Sequence, residues 1–456
     1  MSSCQIHYRN FEFHRLRMRV AGIIAEYNPM HNGHIYHLQK TREISKADFV
    51  IAVMSGNFTQ RGEPAIIDKW ERSRIAVLNG ADLVLELPFI YATGSAPDFA
   101  YGGVEILEGL GIVDAVSFGS ESADIDKLEQ MACFLNNEST AFKQNLKKHL
   151  DRGLSFPAAR QIAVEECLGK DSGRLLMTPN DILAVEYLKH VRTMTPVAIK
   201  RQGSYSSAKL PSEMDINSAL EAEYTGCVEM IGNTDATAAV SAKAVRKAVT
   251  EGKFDQIRPF VPDDSYEALC AVYGPGVIST LKRKYYDLLR MMILSYEKEE
   301  LRQIRGMDEG MENRIKKEIR MNADYESFAD ALKSKRYTRT KIDRLLLHIL
   351  AGLKKSDCAS SNMIGHNDKS SSKDMINSKS GNLYTRVLAF NEKGALLLKK
   401  AADLSTIPVI TNINKNAGSP EIAKYDIRAA DLYNLLFGRD MYKYSDYVKR
   451  PFHVII

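Results

Sequence analysis

Two histidines three residues apart, His31 and His34, flank a glycine in the string His31-Asn32-Gly33-His34. Beside a helix N-terminus, with its unpaired N–H groups and about half a positive charge, such imidazoles suit a phosphate. Two of them can offset charge developing on an α-phosphate during nucleotidyl transfer. Gly33 lets the backbone come close, because a Cβ there would stand where a nucleotide must sit. With 10 His and 28 Gly in 456 residues, H-x-G-H is expected by chance only about 0.013 times. The bland alternative, ordinary turn and helix histidines, is therefore the weaker one. A zinc site is weaker still, since no cysteine or carboxylate stands near the motif at a familiar ligand spacing.

To act together these side chains need a strand-to-helix turn. Val20 to Ala25 reads as a buried strand, Glu26-Tyr27-Asn28-Pro29-Met30 as the turn, and 33–45 as the helix that the motif opens. Further apolar runs, Phe49 to Met54, Leu83 to Leu87 and Val113 to Phe118, alternate with helical spacing over 68–79 and 98–110. Crossovers of that length require parallel strands, which are covered on both faces, and this is why the runs are continuously apolar. Ligands bind such sheets at the carboxyl edge, where the motif falls. Helical segments follow at 124–135, 157–168, Asn180 to His190 and Thr237 to Val249, with Val197 to Lys200 as another strand. After about residue 255 helical periodicity takes over, with Leu281, Leu288, Leu289, Met292, Ile315, Ile319, Leu345, Leu346 and Ile349 as core positions. Thr385 to Phe390, helix 391–401 and Pro408 to Thr411 suggest a small βαβ element, followed by a helix from Ile427 to Phe437. The expected organisation is an α/β fold. Residues 1–19 form an N-terminal extension, 20–254 a Rossmann-like parallel-sheet domain, 255–355 a mostly helical basic domain, 356–382 a polar mobile loop, and 383–456 a C-terminal α/β element.

The composition, 45% hydrophobic and 26% charged, excludes collagen-like and wholly disordered chains, and 456 residues suffice for about three cores. No apolar run approaches the ~18 residues needed to span a bilayer, so no membrane partner is expected. Six cysteines (Cys4, Cys133, Cys167, Cys227, Cys270, Cys358) lie far apart without C-x-x-C spacing, which argues against a zinc cage or disulfide framework and for a reducing cytoplasm. The net charge of +5 matters only where it is concentrated. Arg336-Tyr337-Thr338-Arg339-Thr340-Lys341 and Arg344 form a dense basic cluster, with Arg314, Lys316, Lys317 and Arg320 nearby in sequence. Such a surface neutralises phosphates and its tyrosine can stack on a base, which points to RNA; the alternative is a solvated helix face. Lys393, Lys399 and Lys400 are weaker candidates.

The strand-turn-H-x-G-H-helix unit resembles the nucleotidyltransferase branch of the HxGH superfamily. The longer string GIIAEYNPMHNGH, Gly22 to His34, is similar to one family within it, the tRNA(Met) cytidine acetate ligases. The same holds for VMSGNFTQRGEPAIIDKW (53–70), DLVLELP (82–88), FGSE (118–121), TPNDILAVEYLK (178–189), ENRIKK (312–317), RYTRTKIDRLLLHIL (336–350) and FNEKG (390–394), so the resemblance runs from Val20 to about Tyr447. Enzymes of that family form acetyl-adenylate from ATP and acetate and pass the acetyl group to N4 of the wobble cytidine in elongator tRNA(Met). The resemblance therefore implies an ATP-dependent ligase making N4-acetylcytidine, with Mg2+ sharing the phosphate charge. It carries ATP contacts onto Ile24-Ala25-Glu26-Tyr27-Asn28-Pro29-Met30-His31-Asn32-Gly33-His34-Ile35-Tyr36-His37, Gly119, Asn180 and Arg201, with His31 and His34 as the catalytic pair and no protein metal ligand. Superfamily relatives carry a Ser-Ser-Thr-x-Ile-Arg-like string at a helix N-terminus, where this chain has Ser241-Ala242-Lys243-Ala244-Val245-Arg246. Ser241 and Arg246 are thus candidate phosphate contacts, with Lys243 in place of the usual hydroxyl; the alternative is an N-cap and a solvated arginine. The tRNA contacts are expected from Arg336, Tyr337, Arg339, Lys341 and Arg344.

The loop Ser55 to Glu63 follows the second strand at the same sheet edge and either closes over acetate or the target base or is structural. Asp68 reads as an N-cap, and Trp70 and His348 as packing. Two other functions compete. A small-molecule adenylyltransferase of the pantetheine-phosphate or nicotinamide-nucleotide kind would leave roughly 250 residues unexplained. A non-enzymatic RNA-binding protein with a relict nucleotide fold is disfavoured by intact His31, Gly33 and His34. Acetate-dependent pyrophosphate release separates all three.

Overall fold

The computed structural model describes residues 18–201, 240–359, 383–413 and 420–455. Nearly all of the expected N-terminal extension, residues 360–382 of the expected loop, the first residues of the helix expected from Thr237, and Cys4 and Cys227 lie outside them. Among the described residues, eight strands form one sheet: β1 (Val20–Ala25), β2 (Phe49–Ser55), β3 (Leu83–Leu87), β4 (Ala115–Ser120), β5 (Thr195–Lys200), β6 (Thr385–Phe390), β7 (Val409–Ile410) and β8 (Phe452–His453). Their order is β5-β4-β1-β2-β3-β6-β7, with β8 also beside β6. β1 to β5 are parallel, in register from Val20↔Phe49, Ala21↔Ala115, Ile51↔Leu83 and Ala115↔Thr195. The chain builds outward from β1 to β3, then returns to β4 on the other side of β1. That reversal makes the carboxyl ends of β1 and β4 the switch point where a crevice must open.

The continuously apolar runs are explained by two-sided burial. In β2, Ile51 and Val53 join the core on one face, while Val50, Ala52 and Met54 join the core on the other. Helices Ala96–Gly109 and Pro179–Leu188 cover the first face; Lys69–Leu78, Ala242–Thr250 and Asp263–Val272 cover the second. β5 is partly exposed and starts at Thr195 rather than Val197, with Pro196 tolerated because the strand is an edge. Helix Thr140–Asp151, absent from the expected elements, deeply buries Phe142 and His149 and partly buries Leu146 and Leu150; His149 Nε2 lies 3.0 Å from Glu166 Oε1 on helix Phe156–Leu168.

Helices Val277–Ser295, Met311–Met321, Tyr325–Leu332 and Arg339–Ala351 bury Leu289, Ile315, Ile319, Leu345, Leu346 and Ile349, with Leu281, Leu288 and Met292 partly buried around them. These side chains are contiguous with the core on the first face of the sheet. The polar stretch expected as a loop from Ser356 begins instead as a short helix, Lys355–Ala359. The expected C-terminal βαβ element is present as β6, helix Glu392–Leu404 and β7, and it extends the main sheet: β6 lies antiparallel to β3, Leu83↔Phe390. The closing helix begins at Ala423 rather than Ile427. A buried ionic cluster spans this junction. Lys69 Nζ is 2.7 Å from Glu86 Oε1 and 2.6 Å from Asp446 Oδ2, and Arg386 Nη1 is 3.0 Å from Asp446 Oδ2. Trp70 packs there as expected, its ring 4.6 Å from the Arg386 guanidinium. Among the described residues no helix is long and apolar enough to cross a membrane.

Candidate active site

At the end of β1 the chain turns sharply. Tyr27 has φ +46°, a left-handed conformation uncommon for a bulky residue and worth attention at a site. The turn is held from below by Arg72, a buried arginine in helix Lys69–Leu78. Its guanidinium donates to the carbonyls of Glu26 (2.5 Å), Ser55 (3.1 Å), Gly56 and Ile67 (2.8 Å), so one side chain fixes the carboxyl ends of both β1 and β2. Asn28 is buried as a second brace: its Oδ1 accepts from Ile66 N at 2.7 Å and its carbonyl from Arg246 Nη1 at 2.6 Å.

Helix Asn32–Ser45 is capped by the two histidines themselves. His31 Nδ1 accepts from Gly33 N at 3.1 Å, and His34 Nδ1 accepts from His31 N at 3.2 Å. The rings stack with centroids 3.8 Å apart, and Tyr27 meets His34 edge-on at 5.1 Å. An Nδ1 that accepts carries no proton, so each neutral ring holds its proton on Nε2 and presents a donor there. Burial, with Arg201 and Arg246 adding repulsion, pushes His31 down to about 3. Burial and the neighbouring His31 hold His34 well below the usual histidine range. His37 is pushed down to about 4 by burial and Arg201, and its Nε2 lies 3.2 Å from Ser117 Oγ. A Cβ on Gly33 would come within 2.9 Å of His31 Cε1, so the glycine also makes room for the capping imidazole.

These groups open on a cavity of about 570 Å3 at the switch point. Ile24, Ala25, Glu26, Tyr27, His31, Gly33, His34, Tyr36, His37, Gly119, Asn180 and Arg201 all line it, as do Ser241, Lys243 and Arg246. Asn28, Pro29, Met30, Asn32 and Ile35, also carried over by resemblance, do not; Asn28 and Met30 are buried beneath it. Asn180 links two elements, donating to Glu121 Oε1 at 2.6 Å and accepting from Arg201 Nη1 at 3.3 Å. Asp181 beside it binds Glu121 N at 3.0 Å and Thr178 Oγ1 at 3.0 Å, which fixes the FGSE turn. Ser241 is the N-cap of helix Ala242–Thr250, its Oγ accepting from Ala244 N at 3.2 Å, and it faces the cavity in the same pose. Apolar surface comes from Phe99, Phe118, Ile182, Leu183 and Tyr187, all but Phe99 inside the strings FGSE and TPNDILAVEYLK.

Gln60 and Arg61 of the Ser55–Glu63 loop reach the cavity as well. The loop is pinned in its second half: Gln60 N donates to Glu26 Oε1 at 2.8 Å, and Gly62, at φ +80°, packs so tightly on helix Arg339–Ala351 that a Cβ would lie 2.5 Å from Arg344 N. Through this contact Thr340, which the sequence places in the basic cluster, becomes part of the cavity wall about 300 residues from the histidines in sequence.

The basic cluster is more engaged than its sequence suggests. Tyr337 is buried, its hydroxyl 2.9 Å from Asp308 O and 3.0 Å from Asp308 N, so it does not present a ring to a base. Arg339 pairs with Glu326 (2.6 Å), Asp343 (2.9 Å) and Asp330 (3.4 Å). Arg344 donates to Gln60 O at 3.4 Å under the loop. Arg336 is exposed with Glu309 2.8 Å away, and Lys341 lies 4.0 Å over the Tyr337 ring. His348 is packed as expected, between Thr93 and the Arg305 carbonyl, and Asp68 caps its helix through Trp70 N at 2.9 Å.

Residues 18–222 and 231–446 match the family described as HIGH nucleotidyl transferase. A tRNA(Met) cytidine acetate ligase of Thermoanaerobacter sp. (strain X514) is 36% identical over 433 residues, 92% of this chain and 96% of the relative. One from Clostridium tetani (strain Massachusetts / E88) is 35% identical over 448 residues, covering 95% and 99%. The crystal structure of Thermotoga maritima TmcAL bound with alpha-thio ATP superposes with a TM-score of 0.78 at 30% identity, covering 96% of this chain and all of that one. Matched by that family model over most of its residues and 35–36% identical to these relatives over nearly their whole length, the chain belongs to the tRNA(Met) cytidine acetate ligase family of HIGH nucleotidyl transferases.

Proposed function

We propose that this protein activates acetate with ATP as acetyl-adenylate and transfers the acetyl group to N4 of the wobble cytidine of elongator tRNA(Met). The observation that carries this reading is the stacked, mutually capping pair His31–His34 in a cation-lined cavity at the switch point of a parallel sheet. The Nε2–H groups would donate to α-phosphate oxygens as carboxylate attacks and pyrophosphate leaves. Donors fixed beforehand need no reorganisation when that charge develops. Arg201, Lys243 and Arg246 would hold the outer phosphates, with Ser241 beside them, and Phe118, Ile182, Leu183 and Tyr187 would face the base. Among the described residues no three His, Cys, Asp or Glu side chains converge as metal ligands. Mg2+ would therefore be held mainly by the triphosphate oxygens and water, and its chemistry would be to share the charge that pyrophosphate carries away. The tRNA would approach over the helical half, where Arg336 and Lys341 are the members of the basic cluster best placed to meet phosphate.

The test is incubation with ATP, labelled acetate and total tRNA, followed by nucleoside analysis. Label in N4-acetylcytidine is expected. Acetate-dependent pyrophosphate exchange without labelled nucleoside would overturn the acceptor; the absence of both would overturn the reading altogether.

A further inference from the structure

The charged side chains of the cavity lining are cations with one exception. Arg61, Lys200, Arg201, Lys243 and Arg246 face it, and among the described residues Glu26 is the single carboxylate that does. A carboxylate repels a triphosphate, so its presence calls for a cation or a proton-donating partner at some stage of the reaction. Its geometry is fixed. The carbonyl is held by Arg72, and Oε1 accepts from Gln60 N at 2.8 Å. Oε2 has no hydrogen-bond partner among the described residues. The Gln60 contact also places Glu26 on the side of the cavity where the Ser55–Glu63 loop and Thr340 bring the helical half against the sheet.

We propose that Glu26 is the general base of the acetyl-transfer step, a role that rests on the reaction proposed above. The exocyclic N4 amine of cytosine is a weak nucleophile, its lone pair delocalised into the ring. As N4 attacks the carbonyl carbon of acetyl-adenylate, the C–N bond forms and the carbonyl π pair moves onto oxygen. Collapse of that intermediate breaks the C–O bond to phosphate and releases AMP. The proton lost from N4 goes to Glu26 Oε2 and then to solvent, so acetyl-adenylate and the cytidine amine yield the acetamide, AMP and one proton. The first half-reaction, carboxylate on phosphorus, needs no base.

Glu26→Gln keeps an oxygen for the Gln60 N–H and nearly the same volume while removing the basic site. Two rates should be measured: single-turnover transfer from preformed, enzyme-bound acetyl-adenylate to tRNA, and acetate-dependent ATP–pyrophosphate exchange. Transfer is expected to fall by roughly 10²–10⁴, at least about tenfold more than exchange. Equal losses in both half-reactions, a raised Mg2+ requirement for exchange, or undiminished transfer would each overturn the assignment. Wild-type exchange without any transfer would refute the acceptor reading itself, and this inference with it.

Discussion

The histidine pair performs two tasks with one arrangement: each Nδ1 closes the helix N-terminus, and this leaves each Nε2–H as a donor. Replacing His34 by Ala removes such a donor, so acetate-dependent pyrophosphate exchange should fall by roughly 10²–10³. The variant should still fold, losing about 1 kcal/mol from the cap in chemical denaturation; unchanged exchange would refute the role. The same burial sets a pH dependence. Histidine titrates near 6.5 when unfolded, whereas burial pushes His31 and His348 down to about 3 and His37 to about 4. Between those limits the unfolded chain binds protons that the folded chain does not, so stability is lost as pH falls, by about 1.4 kcal/mol per pH unit for each such histidine. The melting temperature of the ligand-free protein should drop between pH 6.5 and 4.5, and His37→Gln should flatten that slope. At this scale the sequence was legible where chemistry is written locally, in H-x-G-H; Gly119, Asn180, Arg201 and Ser241, which also reach the cavity, came only from the family resemblance. It was silent on Arg72, an arginine inside an ordinary helix whose importance comes from which carbonyls it meets, and Thr340, inside the basic cluster, was not foreseen at the cavity.

Elements were legible where burial leaves a period. The four runs read as strands before residue 120 are strands, because parallel strands covered on both faces show no polar residues to mislead. Helix Thr140–Asp151 was passed over although Phe142, Leu146 and Leu150 stand at i, i+4 and i+8, a stripe thin beside its many polar residues. Helix Arg339–Ala351 shows the converse error, where a run of charges looks like a binding surface and part of it is internal structure. Its cations divide into two classes, and mutation should separate them. Arg339→Ala takes a guanidinium from among Glu326, Asp330 and Asp343, the last of these buried and also bound by the Tyr325 hydroxyl at 2.7 Å. After discount for solvent screening, a loss of about 1–2 kcal/mol in urea denaturation is expected, largely independent of tRNA. Lys341→Ala and Arg336→Ala should leave the denaturation midpoint nearly unchanged and weaken tRNA binding, each lowering the salt slope by about one unit. A Lys341 variant with an unaltered salt slope would remove that residue from the proposed RNA face.

The whole molecule is closed by contacts that no window of sequence contains. A strand at Thr385 to Phe390 was readable, but its pairing with β3, some 300 residues earlier, was not, because strand partners carry no local mark of one another. The consequence concerns how independently the parts fold. β6 covers the edge of β3, and Arg386 and Asp446 complete the ionic cluster that buries Lys69 and Glu86. A fragment ending near residue 254 would therefore expose the edge of β3 and leave the Lys69–Glu86 pair without Asp446 and Arg386 around it. Such a fragment is expected to lack a cooperative transition and to associate, while the full chain unfolds with the sheet and its C-terminal strands in one step. Lys69→Met tests the same junction within the intact chain. Removing one ammonium leaves Glu86 and Asp446 buried with Arg386 alone, a change that typically costs about 3–5 kcal/mol. Burial already pushes the Glu86 carboxyl above its usual range, and loss of Lys69 would push it further. Unfolding followed by near-ultraviolet circular dichroism and by hydrogen exchange at β2, β3 and β6 should show all three strands destabilised together. If β6 alone lost protection while β2 and β3 kept theirs, the C-terminal segment would be an appendage, and the first 254 residues would be the folding unit.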